Sequence, residues 1–322
     1  MIHDNVYYNY RRVVMTKRIL DCSASDLAGY NAGQLLEAIA GSEGRVIAGE
    51  CIGITQPLFT DITNAEVVAA MGADILLLNM FDVQNPVLQA LPKVEKGETV
   101  RELKRLTGRM IGINLEPVVC GEDKDQEDNP WRMTEGRRAT AKNGLLAADM
   151  GVDMVLLTGN PGNGVGNRAI TDSLAAIRSA VGDRLILAAG KMHAAGVISE
   201  GASHIITKED IKAFRENGAD VILLPAPGTV PGITVEFVRE MVDYAHELGA
   251  LTITAIGTSQ EGSDTSVIRQ IALWCKMTGT DIHHIGDSGY VGMALPENIM
   301  TYSVAVRGIR HTYHRMAQSV NR

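Results

Sequence analysis

The phrase Gly72-Ala73-Asp74-Ile75-Leu76-Leu77-Leu78 returns as Gly151-Val152-Asp153-Met154-Val155-Leu156-Leu157 and again as Gly218-Ala219-Asp220-Val221-Ile222-Leu223-Leu224. Glycine ends a helix at little steric cost because it enters the left-handed region freely, and an unbroken run of Leu and β-branched residues is how a strand buried on both faces reads. Each copy is therefore a helix stop followed by a parallel strand. Looser copies start at Gly44, Gly108, Gly182, Gly249 and Gly279, so eight units follow one another at intervals of 28 to 43 residues. That interval holds one strand, one helix and two connections, and eight such units close an α/β fold, a single (β/α)8 TIM barrel. Chemistry in such a barrel sits at the strand ends remote from these glycines.

Working outward from the glycines, the strands are expected near 45–52, 74–80, 110–116, 153–158, 184–190, 220–225, 251–256 and 281–286. Asn31 to Ala40 carries apolar residues at helical spacing and is expected to cap the bottom of the barrel. Residues 1–30 then form an N-terminal extension and residues 31–322 the barrel with its capping helix; Met15 is a candidate translation start. Helix starts are expected at Thr63, Thr134, Thr171, Thr207, Thr234 and Ser263, where a hydroxyl precedes acidic or polar residues. Pro296 opens the last helix, running to about Ala317, whose length suits covering the first helix or joining a neighbouring subunit, so a homo-oligomer is expected.

A formal charge of −8 with no Lys/Arg block offers nothing to nucleic acid or to an anionic membrane surface. No apolar run reaches the length of a membrane span, and the four cysteines are too scattered for a disulfide framework or a zinc site, so a reduced, cytoplasmic setting is expected. Aromatics are only 4% of the chain, which suits barrel layers filled by Val, Ile, Leu and Ala.

Polar residues that interrupt the strands near their C-terminal ends are the candidates for chemistry, because burying them idly is costly. They are Glu50, Asn79, Asn114, Glu116, Thr158, Asn160, Lys191, His193, Thr254, His284 and Asp287. Lys191 follows Ala188-Ala189-Gly190, a small-walled space in which a desolvated amine could act as a base or form an imine. Glu50, Glu116 and Asp287 could instead gather one Mg²⁺ or Mn²⁺, hard oxygen ligands for a hard ion. Glycine-rich turns follow the fourth, seventh and eighth strands. Gly257-Thr258-Ser259 and Ser288-Gly289 occupy the usual place of a phosphate grip in this fold. Two long connections, Cys120 to Trp131 and Lys191 to Ile206, read as lids or as solvated loops.

These features resemble the phosphate-binding (β/α)8 superfamily over roughly residues 40 to 320. The segments Leu35-Leu36-Glu37-Ala38-Ile39 and Ser42-Glu43-Gly44-Arg45 look like an uncharacterised bacterial barrel family whose members have been labelled phosphoenolpyruvate phosphonomutase or haloacid-dehalogenase-like hydrolase. The Asp-x-Asp-x-Thr/Val signature that the hydrolase needs after an early strand is absent, as is the catalytic Cys loop of the mutase. The resemblance implies the barrel fold and a phosphorylated ligand; with the strand-end residues, the reading is an enzyme acting on a small phosphorylated metabolite, a sugar phosphate or phospho-carboxylate, by proton transfer at carbon, as a lyase, aldolase or isomerase. Lys191 would then be base or imine former, Glu50 and Glu116 proton carriers, and Asn79, Asn114, Asn160 and His193 substrate-orienting groups. A divalent-metal-dependent hydrolase and a non-catalytic metabolite-binding barrel are the alternatives.

Overall fold

The computed structural model describes residues 16–118, 133–159, 165–193 and 201–322. Asn160, most of the glycine-rich turn around it, the acidic stretch 120–131 and the segment 194–200 lie outside the described residues.

Eight parallel strands close on themselves in chain order: β1 (Val46–Ile52), β2 (Ile75–Asn79), β3 (Met110–Leu115), β4 (Met154–Leu157), β5 (Ile186–Gly190), β6 (Val221–Pro225), β7 (Leu251–Ile256) and β8 (Ile282–Ile285), the last pairing with β1. All eight repeat glycines have positive φ, from 57° at Gly182 to 105° at Gly72 and Gly218. Gly108 and Gly151 show why: each is the left-handed C-cap of the preceding helix, a conformation that a Cβ would strain.

Two apolar layers follow from the strand alternation. Ile75 and Leu77, Met154 and Leu156, Ile186 and Ala188, and Val221 and Leu223 fill the barrel interior, while Leu76, Val155, Leu187 and Ile222 pack outward. The interior is closed from below by α2 (Ala32–Ala40), through Leu35 and Ile39, as the sequence leads one to expect. The stretch read as an extension is already packed from Ile19, because Ile19, Cys22 and Leu27 of the turn and short helix α1 (Ala24–Gly29) join the same interior cluster. Cys22, Cys51 and Cys275 are buried and free, and among the described residues no helix is long and apolar enough to cross a membrane.

The outer helices are α3 (Asn64–Ala70), α4 (Thr99–Thr107), α5 (Ala141–Met150), α6 (Asn167–Val181), α7 (Lys208–Glu216), α8 (Val235–Glu247), α9 (Thr265–Met277) and α10 (Pro296–Ala317). Thr63, Thr207 and Thr234 cap as expected. Thr134 does not start a helix: a 3-10 turn follows it and α5 begins after Thr140, whose hydroxyl does the capping. Thr171 lies inside α6, bonding back to the Asn167 carbonyl, a use open to any mid-helix Thr. The long last helix breaks at Gly308, with φ 77°, and packs on α9 and α3.

At the lower rim the four even strands are each preceded by an aspartate, Asp74, Asp153, Asp220 and Asp281. Each carboxylate accepts the backbone N–H of the strand before it: Ile47 at 2.9 Å, Ile111 at 2.8 Å, Leu187 at 3.0 Å and Thr252 at 2.8 Å. Each also meets a cation: Arg307 and Arg315 at 2.6 and 2.7 Å from Asp74, Lys104 at 2.6 Å from Asp153, Arg178 at 2.5 Å from Asp220 and His246 at 2.8 Å from Asp281. The Asp74 cluster is fully buried. Burial opposes ionisation of Asp74, but Arg307 and Arg315 more than offset it and hold the carboxyl below the usual range.

Candidate active site

A cavity of ≈ 470 Å³ opens at the C-terminal ends of the strands. β1 brings Glu50, β2 brings Asn79, and β3 brings Asn114 with Glu116 just beyond its end. The register explains their convergence. Ile52 pairs with Asn79, and Leu77 with Gly112, so Asn79 and Asn114 stand at one level on the inward face, with Glu50 beside them. The remaining wall comes from Thr158 and Gly159 after β4, Met192 and His193 after β5, Gly257, Ser259 and Glu261 after β7, and Gly286, Asp287 and Gly289 after β8.

The side chains form a chain of hydrogen bonds across β8, β2, β3 and β1. Asn79 Nδ2 donates to Asp287 Oδ2 at 2.7 Å; Asn114 Nδ2 donates to Glu50 Oε1 at 2.7 Å and, more weakly, to Asn79 Oδ1 at 3.3 Å. Donation to carboxylates fixes which end of each amide carries nitrogen. Below Glu50, His284 is wholly buried; it pairs in register with Ala48 and so lies one layer deeper. Its Nε2 is 2.9 Å from Glu50 Oε2 but off the line of a hydrogen bond, so we treat this as an electrostatic contact.

Burial pushes the Asp287 carboxyl up to about 7, and the neighbouring charge of Glu50 adds to it; the bonds from Asn79 and from the Gly289 amide, at 2.7 Å, oppose the shift. Burial likewise raises Glu261, against the pull of its own amide, the His284 ring and the Ser288 amide and with the push of Glu50. Burial raises Glu116 too, although Arg137 forms a short ion pair with Glu116 Oε1. His193 is lowered by burial, with Glu50 opposing. Among the described residues no Lys or Arg is within salt-bridge range of Glu50, Glu261 or Asp287.

The rim is conformationally strained. Met80, Ser259 and Ser288 carry φ of 57°, 79° and 55°, a region non-glycine residues rarely adopt, and all three sit in loops after β2, β7 and β8. Gly286 permits a close approach: a Cβ there would meet the Ile256 carbonyl at 2.6 Å and the Glu261 carboxyl at 3.5 Å.

Of the residues singled out in the sequence, Glu50, Asn79, Asn114, Glu116, His193, Gly257, Ser259, Asp287 and Gly289 line this one cavity. Thr258 stands behind it, its hydroxyl bonded to the Thr229 carbonyl at 2.7 Å, and Ser288 is half-buried beside it with an unpartnered Oγ. Lys191 is 2% exposed, follows directly on the end of β5 and is not among the residues that line the cavity. The three carboxylates suggested as Mg²⁺ or Mn²⁺ ligands do not share one shell. Glu50 is engaged by Asn114, Glu116 by Arg137 and Asp287 by Asn79, and among the described residues no group of three or more His, Cys, Asp or Glu is spaced to hold a metal ion. In the turn after β8 two backbone amides already face carboxylates of the protein. The Gly289 amide is taken by Asp287, and the Ser288 amide faces Glu261.

Sequence reading missed Glu261, Arg137 and Met192. Glu261 stood in a turn read only for its amides. Arg137 arrives because the chain after the loop returns beside β3, where Arg138 bridges to Glu116, a pairing that no local pattern announces.

Residues 20–322 match the model of the family described as "Domain of unknown function (DUF7916)". The chain belongs to this family. No curated protein matches the sequence. Among solved structures, the barrel is similar to thiamine phosphate pyrophosphorylase from Pyrococcus furiosus, at 13% identity, covering 82% of this chain and 96% of that one with a TM-score of 0.45. It is also similar to 2,3-dimethylmalate lyase, a PEP mutase/isocitrate lyase superfamily member, at 12% identity, covering 82% of this chain and 81% of that one with a TM-score of 0.47.

Proposed function

We propose that this DUF7916 barrel is an enzyme that moves a proton at a carbon atom of a small polar metabolite, in a reaction of lyase, aldolase or isomerase type. The observation that carries the reading is the line Asp287–Asn79–Asn114–Glu50, which brings two carboxylates into one cavity and bridges them through two amides. Asp287 holds its proton up to about pH 7, so it is the acid or, once deprotonated, a base matched to neutral pH; Glu50 is its counterpart. Asn79 and Asn114 fix the carboxylates through their amide nitrogens. Glu116, held by Arg137, bounds the other side of the cavity. Lys191, which is not among the lining residues, has no part in this reading.

The phosphorylated metabolite implied by the family resemblance belongs to this proposal only through the position of the loops after β7 and β8, since two of their amides already face carboxylates. The test offers the purified chain panels of small hydroxy- and keto-metabolites in D₂O, each with and without a phosphate group, and follows loss of C–H proton signals. Exchange in the wild type that disappears in Asp287→Asn and Glu50→Gln supports the proposal. Exchange that survives both substitutions sinks it, and a borohydride-trapped adduct on Lys191 would move the chemistry to that amine.

A further inference from the structure

Among the polar groups left over at or beside this cavity, the Ser288 hydroxyl included, two are acceptors only. Asn114 Oδ1 and Glu261 Oε2 are buried without a hydrogen-bond partner among the described residues, and the two side chains are only 5% and 4% exposed. Asn114 spends its nitrogen on Glu50 and Asn79, leaving the oxygen unmatched. Buried acceptors with nothing to accept are costly, so the occupant is a molecule that brings donors.

Charge narrows the choice. Glu50 opposes ionisation of both Asp287 and Glu261, and Glu261 opposes that of Asp287, so the three carboxyls resist being charged together in a partly dry cavity. Arg137, which also lines the cavity, pairs with Glu116. An anion would add to the repulsion. A hydroxyl would satisfy acceptors but leave the repulsion in place. A divalent ion would need several ligands at metal spacing, and the described residues offer no such group. An ammonium group supplies three donors and a positive charge together.

We propose that the ligand of this cavity carries a protonated amine, seated among the Glu50, Glu261 and Asp287 carboxylates with Asn114 Oδ1 as a further acceptor. This takes its site from the proton-transfer reading and adds the class of substrate.

Calorimetric titration of the full chain with matched pairs tests it: ethanolamine against ethylene glycol, and D-glucosamine against D-glucose, with MgCl₂, MnCl₂ and inorganic phosphate as further arms. The expected result is an affinity for at least one amine about tenfold or more above that of its alcohol. Glu261→Gln should cut that preference by about tenfold, the usual scale for one charged hydrogen bond, and leave the alcohol nearly unaffected. Asp287→Asn carries the same test should Glu261→Gln fail to unfold cooperatively in urea. Equal affinity within both pairs, absence of binding by either amine, tighter binding of phosphate, or a divalent ion that amine does not displace each overturns the proposal. If alcohols bind as well as amines while carbon proton exchange persists, only the amine is wrong. If amines bind as stated and no exchange is seen, only the proton transfer is.

Discussion

At the lower rim of the barrel, Asp74, Asp153, Asp220 and Asp281 each accept a backbone N–H from the preceding strand and each faces a cation. At the upper rim, Glu50, Glu261 and Asp287 face amides, an imidazole and one another. The same functional group is satisfied at one end and left wanting at the other. A carboxylate with both a backbone donor and a cation ties neighbouring strands together and has no capacity left for a ligand. A carboxylate held up by burial and by like charge stores an unfavourable interaction that a substrate or a proton can relieve. The lower end is thus organised for stability and the upper end for chemistry.

The largest expected effect that could break this division is at Asp74. Asp74→Ala leaves Arg307 and Arg315 buried without their shared partner, and removal of one member of such a cluster costs about 3–5 kcal/mol. Urea unfolding measures it. A loss under ~1 kcal/mol would mean that the cluster contributes no more than a surface pair, and the contrast between the two rims would collapse.

Glu50→Gln is the mirror experiment. Carbon proton exchange should fall about 10²-fold or more, with urea stability unchanged or raised, because the change removes a charge that opposes Asp287. A variant that loses stability and keeps activity would place Glu50 with the structural carboxylates instead.

How far this division could be read in advance differs between the rims. The eight glycines gave the barrel away because a helix stop before a buried strand is a local signal, and each predicted strand lies within two residues of the observed one at either end. The lower aspartates were visible as the third residue of the three clearest copies, Asp74, Asp153 and Asp220, but their role depends on cations such as Arg307, 233 residues from Asp74 in the chain. Glu50, Asn114 and Asp287 were legible as polar interruptions at strand ends. Lys191 looked similar, yet it is not among the residues that line the cavity, while Met192 and His193 next to it are. Glu261 and Arg137 come from loops whose paths are set by tertiary packing, and periodicity says nothing about those.

A smaller effect sharpens the comparison through pH. Asp287 has its folded pKa raised from 3.8 to about 7, so between those values the folded state keeps a proton that the unfolded state gives up. Stability therefore falls as pH rises through this window. Asp287→Asn, which cannot ionise, should gain about 1–2 kcal/mol over the wild type at pH 8 and little or nothing at pH 3.5. Equal urea midpoints for the two proteins at pH 8 would show that Asp287 is solvated well enough to ionise freely.

The smallest effect belongs to the lower rim, and it tests whether the two ends titrate separately. His246 is the one partner in the aspartate ring whose charge changes near neutral pH. Its bond to Asp281 raises its pKa, burial opposing. A base with a raised folded pKa contributes stability that is fully present below its unfolded value near 6.5 and is lost as pH rises through the folded value. The imidazole is 38% exposed, so solvent screening keeps the contribution to a few tenths of a kcal/mol. His246→Gln should be slightly less stable than the wild type at pH 5 and equal to it at pH 8.5. Asp287→Asn shows its difference at the alkaline end of the range, so in the double variant the two deviations should add without interaction, as expected for sites at opposite ends of a barrel. A coupling as large as the His246 effect itself would show that the satisfied and unsatisfied rims share one electrostatic field, and the division drawn between them would have to be abandoned.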